Sequence, residues 1–254
     1  LDYSIELIIR IAIAIVFAVV MGNGSVVAFN RMPAKWFEDY PEDAPMDATE
    51  EDKVLPPKLV EADAMGRQRL PSTPWKYAFV GYFAMCGLYL AIRGGSIAYE
   101  MSVLCVLFIV LEMAIADQLY QVVPDQFSWA LIAVAISFTS YYEKWWEQPA
   151  GAFLGIGISL VILILGHVLF KTGSIGGADI KFFGCMGLIT GMRGVVIIFI
   201  LTTILFAIWS LIKIASGRGS IKDKNAMIPA GLAAVTIYFL FLWNSAFDLA
   251  DILL

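Results

Sequence analysis

Between residues 5 and 246 the chain runs repeatedly through stretches of membrane-spanning length that hold few charges, at about 5–22, 77–93, 97–116, 127–142, 150–170, 194–216 and 228–246. In a bilayer such stretches fold as α-helices, because a helix satisfies its own backbone hydrogen bonds where no water is present to do so. The expected fold is all-α, a polytopic bundle of membrane helices. A further apolar run, 180–192, is short: its 13 residues make about 20 Å of helix against about 30 Å of hydrocarbon. It passes through Gly191-Met-Arg-Gly194 into the next full span, so the two are read as a pair. The total is about eight transmembrane helices in a single membrane domain, 1–254. Gly151 and Gly155, and Gly187 and Gly191, have the spacing that lets membrane helices approach closely. Gly22-Asn-Gly-Ser25 is expected to end the first span.

A composition of 60% hydrophobic and 15% charged residues agrees with this reading, and a formal charge of -5 excludes a nucleic-acid partner. The polar residues collect between the first two spans, in a loop at about 31–76. Positions 36–63 hold ten acids against Lys53 and Lys58. This Pro-rich, acidic stretch is expected to be a mobile loop rather than a domain, serving either to solubilise or to attract a basic partner. Asp2 and Glu6 stand where a cleavable signal would be basic, so the first run is expected to remain in the membrane. Cys86, Cys105 and Cys185 lie singly in apolar runs and His167 is the sole histidine. No zinc-ligand spacing results, and a metal-free protein is expected.

Lysine and arginine in the connections give the orientation. Thirteen of the 17 flank one face (Arg31 to Lys76, Lys171, Lys181, and Lys213 to Lys224), and Arg93, Lys144 and Arg193 flank the other. The richer face is expected to be cytoplasmic, with both ends of the chain outside. Tyr141, Tyr142, Trp145 and Trp146 suit the outer interface.

Two acids fall on the cytoplasmic side of this topology. Asp179 follows Gly176-Gly177-Ala178, and Asp117 follows the third span. A carboxylate at membrane depth is costly and therefore a functional candidate, although the residues around Asp179 could equally form an inter-helix turn whose acid caps the next helix. Paired carboxyls from different helices share a proton, activate water and protonate a leaving group. Asp125, after Pro124, is read as a helix cap. Glu112 is about 140° round the helix from Asp117 and is read as a packing or water-contacting acid. Asp179 opens a helix, close to Lys181, whereas Asp117 ends one. The helix termini therefore favour Asp179 as the base and Asp117 as the acid.

Asp117, then Pro124-Asp125, then Gly176-Gly177-Ala178-Asp179-Ile180-Lys181 resembles the type IV prepilin peptidases, membrane aspartic proteases of the G-x-G-D class. The resemblance implies catalytic aspartates at Asp117 and Asp179. It also implies a substrate that is a pilin-like precursor, a hydrophobic helix with a basic leader, cut at the cytoplasmic face of a bacterial inner membrane in pilus assembly or protein secretion. Gly22 through Arg31-Met32-Pro33 is similar to the family's amino-terminal pattern. Bacterial members also methylate the new amino terminus from S-adenosylmethionine, and Gly22, Arg31 and Pro33 would mark that region. Ala178 replaces the second motif glycine, Val26 stands where the family often has Asn, and the paired Cys-x-x-Cys motifs are missing. The peptidase needs no cofactor; S-adenosylmethionine would be required only if methyl transfer is retained.

Two other readings fit the acids. Another G-x-G-D protease, of the presenilin or signal-peptide-peptidase kind, would place its first aspartate inside a helix after a tyrosine, whereas Asp117 follows Ala116. A proton-coupled transporter could use Asp117, Asp179 and Glu112 as a relay, but no internal repeat accompanies them.

Overall fold

Within the residues that the computed structural model describes, 3–40, 49–170, 176–217 and 225–243, the apolar runs are helical. The helices are α1 (Tyr3–Arg31), α2 (Pro57–Ala64), α3 (Ser72–Arg93), α4 (Ile97–Tyr120), α5 (Asp125–Ala135), α6 (Glu147–Phe170), α7 (Gly177–Ala215) and α8 (Ile228–Ile237). The only β-type pairing among the described residues is an isolated bridge between Asp39 and Val54. By length and composition α1, α3, α4, α6 and α7 could cross a membrane. α5 continues as a tighter 3-10 turn to Tyr141 and α8 as a wider π turn to Leu242. The fold is an all-α helical bundle. The expected spans correspond to α1, α3, α4, α5, α6, the two limbs of α7, and α8, while α2 lies outside the apolar runs.

The paired reading of residues 180–216 is correct in geometry. Gly191 has φ 68° in the middle of α7, a left-handed conformation that costs glycine little. The rings of Phe183 and Phe199 have centroids 4.9 Å apart, whereas a straight helix would separate these residues by about 24 Å. α7 is therefore a hairpin with limbs 177–190 and 192–215. The Tyr142 hydroxyl fastens the bend by donating to the Ile189 carbonyl at 2.8 Å. α6 lies against both limbs, with Gly151 and Gly155 meeting the backbone at Gly187 and Phe183.

Gly22-Asn-Gly-Ser25 does not end α1, which continues unbroken to Arg31. A Cβ at Gly22 would fall on the backbone of Val80 in α3, so this glycine serves a close helix crossing. The packing gained offsets the penalty of about 1 kcal/mol that glycine carries inside a helix. Arg10, the awkward charge of the first span, is buried. Its guanidinium bonds the Glu100 carboxylate, with Nε at 2.7 Å, and the Leu90 carbonyl at 3.3 Å.

The acidic connection is also more ordered than expected in its described parts. Asn30 exchanges two hydrogen bonds with the Leu70 backbone, at 2.8 and 3.0 Å. The Arg69 guanidinium donates to the Met32 carbonyl at 2.6 Å and to both Asp63 oxygens at 3.0 and 2.8 Å. That contact holds the Asp63 carboxyl below its ordinary range. Phe37, Leu59 and Leu70 are buried. The two flanks are thus docked on the end of α1, because apolar residues punctuate an otherwise solvated sequence. The acids Glu42, Asp43 and Asp47 lie outside the described residues, as do Lys171 and Lys222.

Candidate active site

Asp117 lies in the last turn of α4, which runs three residues beyond it to Tyr120, and the side chain is buried. Its Oδ2 accepts the backbone N–H of Ile228 at 2.9 Å. Ile228 is the first residue of α8, which has no side-chain cap of its own from Met227. A residue of α4 therefore supplies the acceptor that the amino terminus of α8 lacks.

Asp179 is the third residue of α7 and half-buried. Its Oδ2 accepts the Gly176 N–H at 3.1 Å, closing a turn at the start of the helix. This is the capping geometry that the turn reading foresaw, and it does not occupy the whole carboxylate. Asp179 is also one of the charges that act on Asp117, so the two carboxyls lie within electrostatic reach of each other. Helices α4 and α7 thus bring the two sequence candidates together at one end of the bundle.

The premise that set the two acids apart does not hold. Asp117 does not finish its helix facing unpaired carbonyls; its carboxylate faces the backbone N–H groups that open α8, much as Asp179 faces those that open α7. The helix termini do not distinguish an acid from a base here. Lys181, expected as a neighbouring charge for Asp179, instead forms an ion pair with Asp125. Asp125 is the first residue of α5 behind Pro124, and it makes no capping bond there. Its role is to tie α5 to the start of α7, a correction to the capping assignment. Gly176 and Gly177 are exposed and Ala178 is partly buried against the core, so the motif leaves one side of Asp179 open.

The amino-terminal candidates are dispersed. Gly22 is closed off by α3, while Arg31 and Pro33 are exposed at the end of α1. Nine residues of helix separate Gly22 from Arg31, about 14 Å. The three do not converge on a cradle that fits S-adenosylmethionine. This end of α1 does adjoin the aspartates: Phe29 stacks on Tyr120 at 6.1 Å, and Phe37 meets the same ring edge-on at 5.3 Å.

Three contributions escaped the sequence reading: the Ile228 N–H, the Asp125–Lys181 pair and the surroundings of Glu112. Glu112 is 1% exposed and neither of its oxygens has a hydrogen bond. Ser25 is near enough to act on it, yet that hydroxyl donates to the Met21 carbonyl at 2.9 Å. No sequence signal pairs Asp117 with Ile228, although Met227-Ile228-Pro229 marks a helix start without a cap. Among the described residues no three His, Cys, Asp or Glu side chains gather as a metal-binding group.

No curated protein and no solved structure matches the chain. The model of the type IV leader peptidase family matches residues 101–211, a stretch that contains Asp117, Pro124-Asp125 and Gly176 to Lys181. Through this segment, which carries both aspartates on α4 and α7, the chain is similar to the type IV leader peptidase family.

Proposed function

We propose that the protein is a membrane-embedded aspartic endopeptidase that removes the basic leader from type IV prepilin-like precursors at the cytoplasmic membrane face. The observation that carries this reading is the pairing of Asp117 and Asp179. These carboxyls come from different helices, the charge of Asp179 acts on Asp117, and each is oriented by a backbone N–H. Two carboxyls that meet in one site do not readily both ionise, and on this reading the resting pair holds one proton.

In the proposed reaction the ionised carboxyl takes a proton from a water molecule as the water oxygen attacks the scissile carbonyl carbon. The protonated carboxyl gives its proton to the carbonyl oxygen, which yields a tetrahedral diol. Return of a proton to the amide nitrogen breaks the C–N bond, releasing the leader with a new carboxyl terminus and the mature chain with a new amine. The backbone donors at Gly176 and Ile228 hold the two carboxyls in place throughout. No metal or cofactor enters these steps. Methyl transfer is left out of the proposal, because Gly22, Arg31 and Pro33 lack a common site.

The test is cleavage of a pilin-like precursor in proteoliposomes. Asp117→Asn and Asp179→Asn should each leave an inserted protein with cleavage reduced to background. Asp125→Asn should keep a near-normal kcat, since the exposed ion pair that it breaks is worth about 1 kcal/mol or less, and any loss should fall on KM. Substantial cleavage by Asp179→Asn would refute the dyad, and complete loss in Asp125→Asn would transfer the role to that residue.

A further inference from the structure

A leader peptidase must hold a substrate that passes from water into the bilayer as an apolar helix. Such a helix leaves the reacting bond alongside the enzyme, against a surface that begins next to the aspartates. The bundle has a groove in that position. Along α7 its wall is Lys181, Gly184, Cys185 and Leu188, one face of the helix starting two residues beyond Asp179. The facing wall on α5 is Asp125, Ser128, Trp129 and Ile132, which has the same i, i+3, i+4, i+7 spacing. Ala152 and Ile156 of α6 form the floor.

We propose that this groove is the docking surface for the apolar segment of the precursor, an inference that rests on the peptidase reading. Below the Asp125–Lys181 pair the lining is apolar, apart from Ser128, whose carbonyl faces Cys185 Sγ at 3.6 Å. The groove encloses about 310 Å³, room for the side chains along one face of a helix rather than for the whole helix. Gly184 lets Ile156 of α6 close against α7 at the base of the groove, since a Cβ at that position would lie 2.9 Å from Ile156 Cγ1. Trp129 stands 69% exposed on the rim, a rigid ring available to close over an occupant. The order of polarity also matches. An exposed carboxylate, Asp125, stands at the mouth and an apolar channel lies beneath it. The substrate places a basic leader before an apolar helix, so one of its cations can replace Lys181 on Asp125.

The experiment uses the full protein in proteoliposomes with a photoreactive phenylalanine analogue at position 129 or 132, and at Ile208, an exposed apolar position in the far limb of α7, as the control. Irradiation should join the precursor to positions 129 and 132 and not to 208. In parallel, Gly184→Leu and Trp129→Ala are compared on the full precursor and on a short soluble peptide that spans the cleavage site. The KM for the precursor should rise about tenfold more than that for the peptide. Two variants are used because Gly184 is buried whereas Trp129 is on the surface and its loss leaves the core intact. Products at 129 and 132 that contain lipid alone, or an equal change in KM for both substrates, would overturn the docking site while leaving the peptidase reading in place. An unaltered protein that cleaves no pilin-like precursor would overturn both.

Discussion

The carboxylate of Asp117 and the backbone N–H of Ile228 are joined at 2.9 Å, across 111 positions of sequence. One side chain thus belongs to the proposed dyad and also secures the start of α8. The two roles separate on substitution. Asp117→Asn keeps an acceptor oxygen for Ile228 and should retain wild-type stability with cleavage lost. Asp117→Ala loses both, and its stability should fall by about 0.5–2 kcal/mol, the usual worth of a helix cap. Thermal unfolding in detergent, measured beside precursor cleavage, distinguishes the two variants. Equal melting of Asn and Ala variants would show that the Ile228 contact contributes nothing.

At the other end of the bundle, Arg10 and Glu100 are 5% and 4% exposed. Glu100→Leu strands a buried guanidinium and should cost about 3–5 kcal/mol, whereas the double change Arg10→Met, Glu100→Leu should recover most of that loss. Unfolding in mixed micelles measures both. Cleavage by the refolded double variant should be near normal, because the pair lies far from the aspartates.

The Arg69 contact at Asp63 predicts a local pH response. Asp63 has a folded-state value below its ordinary 3.8, so its contribution is complete above that value and fades as pH falls through the lower, folded one. The flank of residues 57–70 should therefore loosen in acid before the membrane helices do. Hydrogen exchange at Leu70, followed from neutral pH to below 3.8, should show earlier loss of protection in the unaltered protein. In Asp63→Asn the acid-dependent component should disappear. Because Asp63 is well exposed, the effect is small and confined to this flank.

Glu112 distinguishes a protease from a proton relay. Its carboxyl is buried without a hydrogen bond, a situation that costs about 1–3 kcal/mol. Glu112→Met, close in volume, should raise thermal stability and leave cleavage intact. A stable Glu112→Met protein without activity would make this acid a third member of the site and favour the transport reading.

The all-α bundle was legible because spanning apolar runs admit few alternatives, and the α7 hairpin because 180–192 is too short to cross. Asp117 and Asp179 were legible as acids placed where the chain is otherwise apolar. What the sequence hid was pairing at a distance. Gly22 reads as a helix breaker until Val80 is seen against it, and Asp125 reads as a cap until Lys181 arrives from α7. The end of α4 was placed too early, so Asp117 was assigned to a carbonyl-rich terminus rather than to the amino terminus of α8. The flanks of the acidic connection read as mobile by composition, but a few residues, Phe37, Leu59, Arg69 and Leu70, were enough to dock them. Average polarity does not reveal such anchors.

The bend at Gly191 makes the first limb of α7 a ruler. Tyr142 packs on that bend, among the aromatic side chains suited to a membrane interface. Twelve residues of helix separate Gly191 from Asp179, about 18 Å. With Tyr142 at the far interface, the height of Asp179 is set from there, and longer lipid acyl chains should sink it beneath the near leaflet. Cleavage should be fastest in short-chain phosphatidylcholine vesicles and should decline as the acyl chains grow. Inserting one helical turn between Asp179 and Gly191 should move the optimum toward longer chains, so that the enzyme's preferred lipid becomes a property written into the length of a single helix.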